Sequence, residues 1–486
     1  MALVADGRGV HVIAVSRESL IALSSILHPH ITQPTPGFTM KNSRRRIRSA
    51  LVILLTVCAV SGIWGYSLWH VAQEPPNARL ALDAYYPQMP PDAHHRYLTL
   101  PIDYADESSG RFRAFYVLSP NFNPQGPVVF FLTDGQMEIV GPGVDFSFFD
   151  EQLPGVSYVL IGHRGHSPTV FPEVYPNGEL DLRRAMNLYG SWQRVEDIER
   201  VRQDMVSARL LPSGGRIMIF GASGAGVLAQ QYLDRHGEHV ARALLATTGA
   251  PDLARQQRWT FARNFAEFDP GAADTLSEIA RHQNGRRLSL AYMLFQLGRQ
   301  GQSGLATLRK IIRAELSHNP LPYAWYELHP SLNWWLSRAL LGLPAADAAK
   351  VRMYELLGSD LQNGACSYGY DLPLYQWSAE ILKNFLHQHA PLPNLQLDRS
   401  RFQGEVLVVS GKDDVVFSPA IGKAIASAYP SARFLLVRGG HRLELDHEYQ
   451  RAVRRAFFLH GLQARDTASL LDSPPSTPVE QGGGVQ

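Results

Sequence analysis

Cysteine is nearly absent, with two in 486 residues. That scarcity excludes a disulfide framework and a Cys-rich structural zinc site. Cys58 lies in an apolar run near the N-terminus. If that run is membrane or is removed, Cys366 has no intramolecular partner, so an oxidising compartment is compatible but not required. Charge is also scarce. Charged residues make up 19% of the chain against the usual ~25%, and the formal net charge is +2. A balance so close to zero excludes a large electrostatic footprint for nucleic acid. No internal repeat, nucleotide-binding loop, flavin fingerprint or metal-ligand cluster stands out, so no cofactor or metal is expected. What the chain does have is an ordinary hydrophobic fraction of 45%, which excludes global disorder. Its length fits two or three units.

Residues 1–48 read as a cytosolic tail rather than a folded unit. Translation is expected to begin at Met40, just before Lys41-Asn42-Ser43-Arg44-Arg45-Arg46. A basic segment followed by an apolar run is the layout of an export signal. The stretch 49–73 carries no charged residue over 25 positions, and about 20 span a bilayer. Trp64, Tyr66 and Trp69 sit at its far end, where an aromatic belt lies. The arginines at its near end place the rest outside the cytoplasm. A signal anchor is therefore expected, with the catalytic part periplasmic or extracellular. Cleavage after Ala59-Val60-Ser61, giving a secreted protein, is the alternative.

From residue 74 the chain alternates apolar runs with helical patterns. The runs Arg96–Ile102, Arg113–Leu118, Pro127–Leu132, Ser157–Ile161, Arg216–Phe220, Ala241–Ala246, Glu405–Val409 and Arg433–Val437 read as strands. Most are apolar on both faces, as central strands of a parallel sheet must be. Helical patterns such as Val195–Leu210 and Gly226–His236 lie between them. This is an α/β domain in two parts, 74–250 and 400–463. Residues 251–399 break the alternation and read as a helical, aromatic-rich insertion. The tail 464–486, with its Pro/Ser and Gly clusters, reads as disordered.

Gly221-Ala222-Ser223-Gly224-Ala225 places a serine between the strand at Arg216–Phe220 and a helical stretch. A serine on a sharp strand-to-helix turn needs small neighbours and exposes its hydroxyl. A glycine turn that merely packs a helix on a sheet is the plainer reading. The serine needs a base. The strand Glu405–Val409 runs into Ser410-Gly411-Lys412-Asp413-Asp414, and an acid at the C-terminal end of a parallel strand lies where such sites form. Asp414 is the expected acid and Asp413 its alternative. His441 follows the last strand, 27 residues after Asp414. The order Ser, Asp, His assigns Ser223 as nucleophile, His441 as base and Asp414 as the group that orients the imidazole. The oxyanion hole is expected from the N–H of Gly224 and from the loop after Val128–Leu132, at Gly135 or, less directly, Gln136.

From about Arg96 to Leu462 the chain resembles the α/β-hydrolase superfamily. It is most similar to the proline iminopeptidase and tripeptidyl aminopeptidase group of serine peptidases. Gly162-His163-Arg164-Gly165-His166-Ser167 resembles that group's Asp-x-Arg-Gly-x-Gly-x-Ser loop, and Val195–Arg202 resembles the helix before the elbow strand. The helical insertion sits where the group carries its cap. Two departures are plain. Thr133-Asp134-Gly135-Gln136-Met137 replaces His-Gly-Gly-Pro-Gly, and Gly162 replaces the Asp. The resemblance implies a mostly parallel sheet with a helical cap, a Ser-Asp-His triad and an aminopeptidase activity. Such an enzyme recognises a free amine with a carboxylate, for which Asp371, Glu380 and Glu327 are the candidates. The expected substrate is a small peptide. An esterase or thioesterase acting on acyl substrates is the alternative, and a non-catalytic binding protein on the same fold is a third reading.

Overall fold

The computed structural model describes residues 2–6, 9–13, 94–134, 140, 144–165, 171–212, 214–257, 297, 299–316, 345–363, 382–414 and 416–475. Near the N-terminus, β1 (Ala2–Asp6) and β2 (Gly9–Ile13) pair antiparallel as a hairpin. The apolar stretch 49–73 lies outside the described residues. No helix among the described residues is long and apolar enough to cross a membrane.

The rest is built on an eight-stranded sheet. Its strands are β3 (His95–Pro101), β4 (Arg111–Leu118), β5 (Val128–Leu132), β6 (Ser157–Ile161), β7 (Ile217–Ala222), β8 (Val240–Ala246), β9 (Glu405–Gly411) and β10 (Ala432–Val437). Their spatial order is β10-β9-β8-β7-β5-β6-β4-β3. From β6 to β10 every pairing is parallel, while β4 runs antiparallel to both β3 and β6. Each apolar run singled out in the sequence forms one of these strands, with ends displaced by a residue or two. The reason shows in β5, whose five residues are all buried. Val128, Phe130 and Leu132 enter one core and Val129 and Phe131 the other, so neither face can be polar.

The helices that cover the sheet follow from that demand. On one face lie α3 (Ser191–Ser207), α4 (Gly224–His236) and α9 (Pro419–Ala428), which contribute Val195, Ile198, Leu228, Tyr232, Ile421 and Ile425. On the other lie α1 (Phe146–Gln152), α10 (His447–His460) and α11 (Arg465–Asp472), with Phe149, Val453, Phe457 and Leu471. The insertion at 251–399 is helical where it is described, in α5 (Pro251–Gln257), α6 (Gly301–Leu316), α7 (Ala345–Asn363) and α8 (Lys383–His387). A third core joins α7 and α8 to α2 (Leu182–Leu188) through Val351, Tyr354, Phe385 and Ala185.

One expectation is corrected. The tail does not lose order at residue 464, because α11 follows. Leu471 and Thr467 are buried, and the Leu470 carbonyl accepts a hydrogen bond from the Tyr449 hydroxyl at 2.8 Å. The Pro/Ser and Gly clusters begin only at Ser473, and before them Thr467, Leu470 and Leu471 have the spacing of one helical face.

Candidate active site

Strand β7 ends at Ala222 and α4 begins at Gly224, so Ser223 alone makes the turn between them. Its backbone sits at φ 55°, ψ −129°, a region that L-residues avoid. Such strain costs about 1–3 kcal/mol and persists only where surrounding contacts impose it. Here the Ser223 N–H donates to the Ala246 carbonyl (2.9 Å), and the Ser223 carbonyl accepts from the Gly226 N–H (3.0 Å) and the Thr248 hydroxyl (2.7 Å). The flanking glycines leave room that side chains would fill. A Cβ on Gly224 would overlap the Asp134 carboxylate, and one on Gly226 would overlap Thr248. Gly224 is the first residue of α4, where backbone N–H groups have no intrahelical acceptor.

The other two members arrive from β9 and β10. Asp414 follows β9 and is fully buried. Its Oδ1 accepts from the backbone N–H groups of Val416 (2.8 Å) and Phe417 (3.0 Å). His441, in the loop after β10, brings Nδ1 to 3.1 Å and 3.2 Å from the two Asp414 oxygens. Its Nε2 lies 3.0 Å from Ser223 Oγ. A carboxylate beside Nδ1 selects the tautomer with its hydrogen there and leaves Nε2 to accept from the serine. The structure thus brings Ser223, His441 and Asp414 into one hydrogen-bonded chain. Asp413 takes another role. Its backbone N–H donates to the Gly439 carbonyl (2.9 Å), which helps join the two loops.

Several supporting residues escaped the sequence reading. Glu444 accepts from the Gly440 N–H at 2.9 Å and 3.0 Å and so holds the loop that carries His441. The Phe417 ring lies against the imidazole, with centroids 5.7 Å apart. Arg352 of α7, fully buried, donates through Nη2 to the Gly224 carbonyl (2.9 Å) and pairs through Nη1 with Glu355 (2.9 Å). Glu355 in turn accepts from the Ser191 N–H (2.7 Å) and hydroxyl (2.9 Å). Arg194 donates to the Asp134 carbonyl at 2.6 Å. Burial, with the charge of Arg352 nearby, pushes the Arg194 guanidinium down to about 10, so it remains a cation at neutral pH. Arg194, Arg352 and Glu355 are lone charged residues in helices, and no motif marks them.

The two stretches that carry the resemblance outside the triad meet each other. Arg164 reaches Asp197 through Nε (2.7 Å) and Nη2 (2.6 Å) and also donates to the carbonyls of Pro101, Ile102 and Leu188. A bidentate pair with its remaining donors satisfied is the arrangement in which a buried arginine is tolerated. Gly162, where the resembled group has Asp, has a local cause: a Cβ there would overlap the Phe115 ring. Thr133 Oγ1 and His163 Nε2 share a hydrogen bond across the loops after β5 and β6. Gly135 and Gln136, expected in the oxyanion hole, lie outside the described residues. So do the amine-binding candidates Asp371, Glu380 and Glu327. Among the described residues, no group of His, Cys, Asp and Glu is placed to hold a metal ion.

The chain has the α/β-hydrolase fold. That follows from the strand order, from β4 as the antiparallel member, and from an elbow serine followed along the chain by Asp and His at the ends of later strands. No protein-family model matches the sequence, and no curated protein matches it. Among solved structures, homoserine O-acetyltransferase from Staphylococcus aureus is similar at 15% identity and a TM-score of 0.42, over 78% of this chain and 100% of that one. An alpha/beta hydrolase from a deep-sea metagenome library shares 13% identity at a TM-score of 0.38, over 71% and 94% of the two chains. An esterase from Exiguobacterium antarcticum shares 15% identity at a TM-score of 0.31, over 69% and 91%.

Proposed function

We propose that this chain is a serine hydrolase that works through an acyl-enzyme. The observation that supports it is the hydrogen-bonded series Asp414–His441–Ser223, built on a strained elbow. His441 Nε2 takes the proton of Ser223 Oγ as the oxygen attacks a carbonyl carbon. The tetrahedral oxyanion is met by the N–H of Gly224 and by the loop after β5. The intermediate collapses, His441 returns the proton to the leaving group, and the acyl group stays on Ser223 Oγ. Water, activated by the same imidazole, releases it. Asp414 stabilises the imidazolium throughout.

As substrate we propose the N-terminal end of a peptide, from which residues or short peptides are released outside the cytoplasm, with 49–73 as the anchor. The ammonium group of such a substrate calls for a carboxylate partner, for which Asp371, Glu380 and Glu327 are the candidates. The second reading, an esterase, is favoured by the aromatic-rich insertion, which suits an acyl chain.

The test compares three substrates with the full-length protein in detergent and Ser223→Ala as control. They are an aminoacyl arylamide, its N-acetylated counterpart and a p-nitrophenyl acyl ester. Cleavage of the arylamide, lost on acetylation, is the expected result. Ester cleavage without arylamide cleavage replaces the peptidase reading with the esterase. Turnover that survives in Ser223→Ala defeats both.

A further inference from the structure

We propose that Thr248 is a positioning residue for the oxyanion hole, acting through the peptide that joins Ser223 to Gly224. The inference rests on the serine-hydrolase reading and deepens it. That peptide has two ends. Its N–H, on Gly224, faces the developing oxyanion, and its carbonyl, on Ser223, points the opposite way. The Thr248 hydroxyl donates to that carbonyl at 2.7 Å, and the Gly226 N–H donates to it at 3.0 Å. A carbonyl that accepts hydrogen bonds is polarised, and the N–H of the same amide becomes a stronger donor. The contact also fixes the plane of the peptide, and so the direction in which the donor points.

Three features of the fold converge on this contact. Thr248 is 2% exposed, and its bond to the half-buried Ser223 is shielded from water on the threonine's side. Thr247, which carries the chain out of β8, has φ 42° although it is β-branched and buried. That left-handed turn is unfavourable for such a residue. It is held by the Thr247 N–H donating to the Val409 carbonyl (2.7 Å), and it delivers the next residue beneath the elbow. Gly226 lacks the side chain that would overlap Thr248. The Ser223 N–H meanwhile bonds the last residue of β8, Ala246, at 2.9 Å. The end of β8 therefore grips the nucleophile's backbone on both sides, and the Thr248 hydroxyl is the part of that grip aligned with the oxyanion donor.

The experiment uses the full-length protein in detergent as wild type, Thr248→Val, Thr248→Ser and Ser223→Ala. Valine keeps the shape and removes the donor, while serine keeps the donor. One readout is the second-order rate at which an alkyl fluorophosphonate labels Ser223. In that reaction the Oγ–P bond forms, fluoride leaves and His441 takes the proton. A second readout is kcat and KM on whichever of the three substrates above is turned over. A third is inhibition by a trifluoromethyl ketone, whose hemiketal oxyanion occupies the hole. Thr248→Val should lower the labelling rate and kcat about tenfold, leave KM within about twofold and weaken the ketone by a similar factor. Thr248→Ser should recover all of these at a comparable melting temperature. Wild-type labelling and ketone affinity in Thr248→Val would overturn the inference. Equal damage in Thr248→Ser would overturn it too, since it would assign the effect to methyl packing. Labelling that persists in Ser223→Ala would instead overturn the serine-hydrolase reading on which the inference stands.

Discussion

Neighbouring carboxylates at 413 and 414 have unequal chemistry because of where each side chain points. Asp414 is buried, takes two backbone N–H groups on one oxygen and faces the imidazole with both oxygens. Asp413 is half-buried and reaches the same loop through its backbone. Asp414→Asn should therefore cost kcat about 10⁴-fold, because an amide facing Nδ1 favours the wrong tautomer. Asp413→Asn should stay within about threefold, since the backbone bond survives. Steady-state rates on whichever of the three test substrates is turned over check both, and the reverse pattern would reassign the acid. The sequence placed an acid at this loop from the strand that precedes it. The choice between adjacent aspartates was a matter of side-chain direction, which the tertiary fold sets.

At the scale of elements, charges carried by helices tie the insertion and the sheet cover to the elbow. The α7 helix holds Gly224 through Arg352, and α3 is held to α7 through Ser191 and Glu355. Arg352→Met removes the cation paired with the buried Glu355 and leaves that carboxylate with its Ser191 hydrogen bonds but without its ion pair. It should destabilise the protein by about 3 kcal/mol, read as a lower denaturant midpoint. On α3, burial works against the Glu199 carboxylate, but hydrogen bonds from Arg202, Tyr232 and Gln203 overcome it and hold the group down to about 2. His239 lies 3.8 Å away and adds attraction when protonated. A depressed carboxylate contributes stability that is full above its unfolded value, near 4.5, and is lost as pH falls toward about 2. Glu199→Gln should thus be less stable than wild type at pH 7 by about 1–3 kcal/mol, with the gap narrowing as pH falls from about 5 to about 2. Urea midpoints at several pH values test the sign, and a gap that widens on acidification would defeat it.

At the scale of the whole molecule, the sheet is continuous while the site is assembled from segments far apart in the chain. Ser223 and His441 are separated by 218 positions yet share a hydrogen bond, because β7, β9 and β10 run parallel and end on the same side. The C-terminal helix α11 belongs to this body. Truncation after Ala464 should expose the face that Leu471 covers and remove the Arg433–Asp472 pair, at 2.7 Å in the intact chain. The cost should be about 2–4 kcal/mol in unfolding free energy, mostly from apolar burial, with kcat unchanged below the melting temperature. Truncation after 475, which keeps α11 whole, is the reference. Equal melting temperatures for the two truncations would show that α11 contributes nothing.

What the sequence by itself determined is local. Runs apolar on both faces become buried parallel strands because no other placement hides them from water. A serine flanked by glycines between a strand and a helix becomes an elbow because little else fits that turn. The order of Ser, Asp and His follows from which strand ends carry them. The tertiary structure decided what depends on direction and on distant partners. It selected Asp414 over its neighbour, brought Arg352 to the Gly224 carbonyl and put the Thr248 hydroxyl beneath Ser223. It also turned the supposed tail at 465–472 into a packed helix. A lone arginine or threonine in a helix or loop has no periodicity to betray it. Its partner is a backbone carbonyl, which every residue carries, so only three-dimensional proximity can name it.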